Sequence, residues 1–414
     1  MILVFEMTWT GLTHAPGNSA TVQIIARAFP DEAVRVHADA THLAELRRDA
    51  ALMALPNVAL VPIEVSPLWR GRTHIVSFRR LAQEFRSVRA GLAAVPGGEP
   101  CLVFLISTTA TGTFAAAWAA RLAGRGTALQ VGFHGNLNDA TGWRPRNPLR
   151  RALDTRSAIE ARHPVPTRFL VLEEAIRTAL AARIPAAAER TDVVPLPINT
   201  AELAAATGSA LGTPVRIGFV GLGTAAKGID TFLAVAGRLR ARWGAERVEF
   251  IHVGRMPAEA DLTDHGLLAH PPSADQLTRA EFEARLASLH YVFLPFRTGY
   301  YDLSASGALI DALTWLKPLV TSRVPLTEQF FAEYGDIGTL CEDAAGLEAA
   351  LETIVSAMDT ARYATQVAAL RAAREKRRVE VLAGRYRVLI ENGFPGLLRP
   401  APALPLAAVP AALG

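Results

Sequence analysis

One segment of the chain combines two glycines and a lysine in a spacing that suits phosphate binding. Gly221 and Gly223 directly follow an apolar run that predicts a strand, and Lys227 and Gly228 precede a predicted helix. Glycines let the backbone approach a ligand closely, and the first N–H groups of a helix have no partner within it. We therefore expect these residues, with Thr224, to surround a phosphate whose charge Lys227 neutralises.

A second polar segment follows another predicted strand, Tyr291–Pro295. Ser304, Ser306 and Gly307 stand where a helix begins, and serines there cap the helix and leave N–H groups available to an anion. Asp311 lies between one and two turns further on, where its carboxylate can accept two hydroxyl groups of a ribose. A surface acid in a local ion pair is the alternative.

The glycine turn also resembles a dinucleotide-binding turn, in which an acidic residue follows the next strand. Here the next predicted strand, Val248–Val253, is followed by Gly254 and Arg255. This difference disfavours a dehydrogenase.

Predicted strands and helices alternate along the 414 residues, of which 50% are hydrophobic. Alternation of this kind is typical of parallel sheets covered on both faces by helices. We predict an α/β protein with one domain at residues 1–205, a second at 206–385, and a last segment at 386–414 that holds a helix end and an Ala/Pro-rich tail. The predicted strands are Ile2–Phe5, Ala33–His37, Val58–Pro62, Cys101–Ile106, Leu129–Phe133, Arg168–Leu172, Val215–Val220, Val248–Val253, Tyr291–Pro295 and Leu319–Thr321.

The net charge of +4 is unevenly distributed, with a positive first half and a slightly negative second half. Arginines crowd between Arg144 and Arg162, and Trp143 precedes them. This stretch indicates contact with an anionic membrane surface or a phosphorylated acceptor, or else a solvated loop and helix face. No nucleic-acid-binding motif accompanies it, so we expect no nucleic-acid partner.

Several classes of protein and site are disfavoured by composition. Cys101 and Cys341 are too few for a disulfide framework, which indicates a reducing, cytoplasmic environment. The apolar run Met1–Phe5 is short and is followed directly by Glu6, so we interpret it as a strand rather than a signal peptide. The uncharged run Cys101–Ala120 is interrupted by serine and threonine, which favours a strand and a helix over a membrane span. No clustered Asp or His ligands appear, so we expect neither a metal nor a cofactor.

The segment from Val215 to Leu340 resembles the donor domain of GT-B glycosyltransferases, particularly the retaining family 4 group. In that family a strand runs into Gly-Arg-x4-Lys-Gly, whose arginine and lysine bind the donor diphosphate. Lys227 stands at the lysine position and Leu222 at the arginine position. Arg297 or Tyr301 is then expected to replace the missing arginine.

The family's second signature is a pair of glutamates eight residues apart, the latter beginning Glu-Ala-x-Ala-x-Gly-x-Pro-Val. The run from Asp311 to Val320 matches its end, so the resemblance assigns the ribose-binding acid to Asp311. The first glutamate position falls on Leu303, beside Asp302, which is the candidate for the acid near the transferred sugar.

The first half resembles the family's acceptor domain more loosely. A loop that holds Gly11, His14 and Asn18 follows the first strand, where these enzymes place a glycine-bearing loop. His134 matches a common His-Gly at the cleft, and Asn136 lies beside it on the acceptor side. The run from Val193 to Ile198 looks like the hinge between the domains.

The resemblance implies a GT-B fold, in which two doubly wound Rossmann-like domains face a cleft. It also implies a hexosyltransferase, retaining in outcome, that moves a sugar from a nucleotide diphosphate sugar to a glycan or lipid-linked acceptor in bacterial polysaccharide or glycolipid synthesis. Lys227, Asp302 and His134 are the candidate catalytic residues, and His134 as a base would allow inversion. We expect the protein in the cytoplasm, peripherally on the inner face of the cytoplasmic membrane. The alternatives are a GT-B nucleotide-sugar epimerase and a non-catalytic GT-B partner subunit.

Overall fold

The computed structural model describes residues 1–124, 126–142, 144–198, 206, 208–263 and 266–399. Two compact units share the chain. The first holds the chain up to Leu172, resumes at Arg177, and takes up the residues from Arg378 onward. The second holds Glu173–Ile176 and the later residues up to Arg377. The passage from the first unit to the second near residue 201, and Trp143, lie outside the described residues.

In the first unit, the described residues form a seven-stranded sheet in the order β3-β2-β1-β4-β5-β6-β7. All neighbouring strands pair in parallel. The strands are β1 (Ile2–Glu6), β2 (Val34–Ala38), β3 (Val58–Pro62), β4 (Cys101–Ser107), β5 (Thr127–Gly132), β6 (Thr167–Val171) and β7 (Thr191–Val193). Because β1 and β4 are neighbours while the chain passes through β2 and β3 between them, the order reverses there, and ligands of such sheets bind at the carboxyl ends of the strands at that point.

The described helices of the first unit that precede β7 are α1 (Ala15–Ala28), α2 (Ala40–Leu46), α3 (Ala50–Met53), α4 (Phe78–Ala93), α5 (Gly112–Ala123), α6 (Asn138–Thr141), α7 (Pro148–Arg151), α8 (Thr155–Glu160) and α9 (Glu174–Arg183), whose first residues belong to the second unit. Of these, α1, α2, α4 and α5 pack against strands of the sheet. Strands β1 and β4 are buried throughout. Burial on both faces explains why these two segments are continuous apolar runs rather than alternating ones.

In the second unit, the described residues form a parallel five-stranded sheet in the order β12-β11-β10-β8-β9. Its strands are β8 (Val215–Val220), β9 (Val248–Val253), β10 (Tyr291–Leu294), β11 (Leu319–Ser322) and β12 (Gly338–Cys341). Its helices are α10 (Ile229–Trp243), α11 (Arg279–Ser288), α12 (Gly307–Thr314), α13 (Pro325–Tyr334), α14 (Ala344–Ala357) and α15 (Thr360–Lys376). The strand order reverses between β8 and β10, whose carboxyl ends lead into the two polar segments singled out above.

The last helix of the described residues, α16 (Val379–Gly393), belongs to the first unit. Its buried residues Leu382, Tyr386 and Ile390 join the core around β1 and α1. The Tyr386 hydroxyl donates a hydrogen bond of 2.6 Å to the side chain of Gln130 in β5. Residues 378–385, which the sequence places with the second domain, therefore pack in the first unit.

The parallel α/β architecture and the predicted strands are confirmed, and no predicted strand end is shifted by more than two residues. Strands β7 and β12 are not predicted, because each is a short strand at the edge of its sheet. The expected hinge from Val193 begins at the last residue of β7. None of the described helices is long and apolar enough to span a bilayer.

Candidate functional site

The glycine turn after β8 is shaped by contacts that only glycine permits. Gly221 has a φ of 102° and Gly228 a φ of 86°, both in the left-handed region. A Cβ on Gly228 would lie 1.9 Å from the carbonyl oxygen of Pro295, the residue after β10. The turn is therefore held closely against the end of β10, at the point where the strand order reverses.

A buried histidine holds the same turn from the neighbouring strand. His252, in β9, donates a hydrogen bond of 2.9 Å from Nε2 to the carbonyl oxygen of Gly221. The Gly221 and Gly223 N–H groups donate to the carbonyls of Val253 and Arg255, both at 2.9 Å. Burial lowers the pKa of His252, while its hydrogen bond to the Gly221 carbonyl opposes this shift.

Lys227 reaches back over the turn that precedes it. Its Nζ lies 3.1 Å from the position that a Cβ on Gly221 would occupy. Burial lowers the pKa of Lys227, while the charge of Asp311 on α12 raises it. The structure thus brings Lys227 and Asp311 into one electrostatic cluster, although 83 positions separate them in the sequence. A half-buried ammonium beside an open backbone turn suits an anionic ligand.

Two buried hydroxyl groups lie on the elements that bound this cluster. Thr224 Oγ1, in the turn, has no hydrogen-bond partner among the described residues, and the same holds for Ser306 Oγ. Ser306 is 3% exposed and directly precedes α12. Buried polar atoms are nearly always hydrogen-bonded in proteins, so the unpaired Thr224 hydroxyl indicates a place where a ligand completes the bonding, whereas the Ser306 hydroxyl has the Tyr301 hydroxyl beside it.

The other predicted donor-side residues of this segment differ in exposure. Arg297 is exposed and donates to Asp230 at 2.8 Å, an ion pair on the surface. Tyr301 is buried against Phe296, with ring centroids 4.4 Å apart, and burial raises its pKa. The hydroxyl of Ser306 lies near enough to that of Tyr301 to oppose this rise. In this arrangement the Arg297 guanidinium is paired with Asp230 rather than directed by a buried contact towards Lys227.

The position of the family's first glutamate is occupied by a buried leucine, Leu303, and not by a carboxylate. Leu303 is 2% exposed and packs in the interior, whereas Asp302 and Ser304 beside it are half-buried. Gly307, the first residue of α12, is exposed. The side chain at the glutamate position is thus directed inward, and Asp302 is the nearest acid in sequence.

In the first unit, a buried carboxylate ends β1. Glu6 Oε1 accepts hydrogen bonds from the backbone N–H groups of Thr8 and Trp9, both at 2.9 Å. Its Oε2 accepts from Asn18 Nδ2 at 3.2 Å. Burial raises the pKa of Glu6 to about 7, against these hydrogen bonds, which lower it. Glu6 therefore organises the loop that follows β1.

Asn18 and Gly11, two of the predicted acceptor-side residues, belong to the hydrogen-bond network that includes Glu6. Asn18 Nδ2 lies 3.1 Å from His42 Nε2, and His42 Nδ1 donates to the carbonyl oxygen of Gly11 at 2.9 Å. The Gly11 N–H in turn donates to Thr41 Oγ1 at 3.0 Å. Asn18 and Gly11 thus position the loop, and the buried amide of Asn18 is held between Glu6 and His42.

His14 and His134 form a contacting pair. Their ring centroids are 4.8 Å apart, and Trp9 packs on the other side of His14 at 4.6 Å. Burial lowers the pKa of His14 to about 4 and that of His134 to about 3, and each is lowered further by a neighbouring histidine. Both rings are therefore neutral at pH 7. An imidazole with so low a pKa is a weak general base and is better suited to hydrogen bonding.

Asn136, on the loop after β5, has one satisfied and one unsatisfied end. Its Nδ2 donates to the carbonyl oxygen of Thr108 at 2.7 Å. Its Oδ1 is buried without a partner among the described residues. Asn136 is therefore fixed at the carboxyl end of β4, with one acceptor atom left for a ligand or water.

Sequence reasoning missed several residues of these clusters, among them His252 and Glu6. Each is a polar residue within or at the end of an otherwise apolar strand, and that interruption was the available signal. Among the described residues, no group of three or more His, Cys, Asp or Glu side chains is placed to hold a metal ion.

Comparison with solved structures gives a consistent set of neighbours. A glycosyltransferase from Rickettsia africae ESF-5 superposes with a TM-score of 0.62 at 8% identity, over 95% of this chain and 99% of that chain. A structure from E. coli described as trehalose-6-phosphate bound with UDP-2-fluoro glucose gives a TM-score of 0.63 at 10% identity, over 96% of this chain and 100% of that one. WaaG, a glycosyltransferase involved in lipopolysaccharide biosynthesis, gives a TM-score of 0.55 at 13% identity, over 94% of this chain and 99% of that one.

No protein-family model and no curated protein matches the sequence. The strand orders and these neighbours confirm the expected fold: the chain has a GT-B fold similar to that of these glycosyltransferases.

Proposed function

We propose that the protein is a glycosyltransferase that binds a nucleotide diphosphate sugar on its second unit and transfers the sugar to a glycan or lipid-linked acceptor held by the first. The fold supports this proposal, as does the UDP-2-fluoro glucose named for the E. coli neighbour. Synthesis of a bacterial polysaccharide or glycolipid is the setting in which such a transfer is expected.

The observation that carries the proposal is the position of Lys227 over Gly221. When the bond from the sugar to the diphosphate breaks, negative charge grows on the leaving phosphate. A fixed ammonium and the positive end of α10 stabilise that charge without having to reorganise. Thr224 and Ser306 provide hydroxyl groups that the phosphate oxygens can pair with.

Asp311 completes the donor site in this proposal. Its carboxylate accepts the two ribose hydroxyl groups, and its proximity to Lys227 places ribose next to the diphosphate, as the covalent structure of a nucleotide requires. The charge of Asp311 also favours the protonated form of Lys227.

The stereochemical outcome depends on which group lies near the transferred sugar. Retention, which the family resemblance implies, requires a carboxylate such as Asp302 in the place where Leu303 is buried. Inversion requires a base such as His134, which its low pKa disfavours. We therefore propose retention, and NMR of the product anomer distinguishes the two outcomes.

A second candidate function is a non-catalytic partner subunit that binds a nucleotide sugar without turning it over. The inward Leu303 and the apolar Leu222 at two family positions favour it. A protein that binds donor in stoichiometric amounts but neither hydrolyses nor transfers it would support this candidate against the enzyme.

The proposal is tested by calorimetry with a panel of nucleoside diphosphate sugars. Lys227→Ala should weaken the best ligand by about 1.5–3 kcal/mol, because a charge-assisted hydrogen bond is lost. Lys376→Ala is the matched control, since Lys376 lies on α15 in the same unit and contacts Glu333 and Tyr334 instead. If no nucleotide binds, or if both variants weaken binding equally, the donor site is wrongly placed.

We propose that transfer needs no divalent metal, because Lys227 and the helix start supply the positive potential. Activity should therefore persist in EDTA. Loss of activity with EDTA that manganese restores would contradict the metal-free mechanism.

We also propose a cytoplasmic protein that associates peripherally with an anionic membrane. Arg150 and Arg151 lie exposed on α7, and Leu149 between Pro148 and Arg150 is 65% exposed. Each basic residue near an anionic surface contributes roughly 1 kcal/mol. Cosedimentation with anionic liposomes should fall as salt rises and fall again in Arg150→Glu/Arg151→Glu.

A further inference from the structure

The first unit contains a cavity that the donor chemistry does not use. It has a volume of about 530 Å³ and lies between the segment before α4, with His74 and Val76, and the segment leading into α7, with Arg146 and Arg150. A smaller cavity of about 210 Å³ shares His74, Val76 and Pro145 with the first, so the two adjoin. The smaller one extends to Asp139 and Thr155.

The larger cavity carries uncompensated positive charge. Arg144 and Arg156, in the same stretch, form ion pairs with Asp154 and Glu160 at 2.7 and 2.8 Å. Arg146 and Arg150 form no ion pair with any described residue, and both are exposed where they line the cavity. Two free guanidinium groups on one wall match the oxygens of a phosphate, which arginine binds in a bidentate manner.

The backbone that carries these arginines is fixed. Asn147 Oδ1 accepts a hydrogen bond of 3.1 Å from the Arg150 N–H and so caps α7. Pro145, on the same wall, is buried. The guanidinium groups are thus attached to an ordered segment, which reduces the entropy lost when they bind a ligand.

The smaller cavity has the opposite character. Asp139 Oδ2 accepts a hydrogen bond of 3.0 Å from Thr73 Oγ1, which leaves the carboxylate with further capacity as an acceptor. Burial raises the pKa of Asp139, while the hydrogen bond from Thr73 and the charge of His74 oppose this rise. A carboxylate repels a phosphate but accepts hydrogen bonds from hydroxyl groups, so the two cavities select different parts of one ligand.

We infer that the two cavities form one site for a phosphate ester of a hydroxylated group, with the phosphate on Arg146 and Arg150 and a hydroxyl on Asp139. This inference rests on the proposed function, for which it names the acceptor class: a phosphorylated sugar or polyol. The phosphate can belong to a free molecule or to a lipid headgroup. The exposed Leu149 beside the arginines offers an apolar contact to a lipid.

The test uses glycerol 1-phosphate and inorganic phosphate as probes, which are titrated calorimetrically into the full chain. The chain carries Lys227→Ala, because this substitution removes the main anion contact of the donor side. Arg146→Gln/Arg150→Gln should raise the dissociation constant of glycerol 1-phosphate about tenfold or more. Arg89→Gln/Arg121→Gln is the matched control, because these exposed arginines of the first unit lie outside the arginine stretch and do not line the cavity, and it should change the constant less than about twofold. Asp139→Asn should reduce the preference for glycerol 1-phosphate over inorganic phosphate and leave the affinity for inorganic phosphate unchanged.

Cosedimentation with phosphatidylcholine vesicles, with and without phosphatidic acid, separates the two sources of phosphate. If the protein binds phosphatidic acid and only Arg146→Gln/Arg150→Gln abolishes that binding, the site takes a lipid headgroup. If glycerol 1-phosphate binds but the vesicles do not, the site takes a free phosphate ester. Absence of binding to every probe, or equal loss in both double variants, overturns the inference. UDP binding to the chain with native Lys227 is measured separately. If UDP does not bind while the arginine-dependent phosphate binding persists, the proposed transfer is refuted and the phosphate site stands. If UDP binds but the phosphate probes do not, only the inference about the phosphate site is refuted.

Discussion

His252 Nε2 and the carbonyl oxygen of Gly221 are 2.9 Å apart, so a buried imidazole on β9 fixes the backbone of the turn that follows β8. This bond determines which way the Gly221 peptide faces. It thereby determines the surface over which the Lys227 ammonium lies. The proposed donor site accordingly depends on a residue that need not touch the ligand.

We therefore expect His252→Ala to weaken nucleoside diphosphate binding, because the turn loses a hydrogen bond worth about 0.5–1.5 kcal/mol net. Calorimetric affinity and the thermal midpoint should both fall. His252→Gln can restore a donor at a similar reach and should recover part of the affinity. An unchanged affinity in His252→Ala would mean that the turn holds its shape without this bond.

Asp311→Asn should weaken nucleotide sugars more than it weakens pyrophosphate. The carboxylate is proposed to hold ribose, which pyrophosphate lacks. Competition titrations of both ligands against the variant measure the difference. Equal weakening of the two would show that Asp311 acts only through the charge of Lys227.

Two glycines only nine positions apart should respond to alanine in opposite ways. Gly228→Ala should destabilise the protein by at least about 1 kcal/mol, because φ is 86° and the new Cβ would lie 1.9 Å from the Pro295 carbonyl oxygen. Gly237→Ala, inside α10 with nothing within 4 Å of its Cβ position, should stabilise by about 0.5–1 kcal/mol. Urea unfolding measures both. Similar midpoints for the two variants would contradict the close approach of the turn to β10.

Glu6 should make the free energy of unfolding depend on pH. Its pKa is about 7 in the folded protein against an ordinary value of 4.5, so the folded state holds this proton more tightly. The contribution is fully present below about pH 4.5 and is lost as the pH rises to about 7, with a total on the order of 3 kcal/mol.

Glu6→Gln should flatten this part of the profile, measured by urea unfolding at intervals between pH 4.5 and 7.5. Glu189→Gln, at an exposed position of the same unit, is the control and should keep the slope of the unaltered protein. A profile in which both variants retain that slope would show that Glu6 is ionised in the folded state.

Local features of the donor site were predictable because they are contiguous in the chain. The strand, the turn from Gly221 to Gly228 and the helix start follow one another within a few residues, so the sequence alone predicts where Lys227 stands. The same holds for the alternation of strands and helices, since apolar runs of this length are buried wherever the chain folds. The helix start at Ser306 was predictable for the same reason, although the closeness of its hydroxyl to that of Tyr301 was not.

Contacts between distant segments were decided only by the tertiary structure. The order of β8, β9 and β10 in the sheet brings His252 beneath Gly221 and Asp311 towards Lys227, and strand order is not written in local periodicity. The pKa of Glu6 depends on burial by the loop and helix that cover the end of β1, and the ion pair of Arg297 depends on Asp230 from another element. Residues 378–385 join the first unit because the apolar face of α16 packs with α1 and β1. The sequence of the helix predicts an apolar face but does not indicate which of the two units buries it. The sequence therefore determined which residues could do chemistry, whereas long-range packing decided which of them meet and in which charge state.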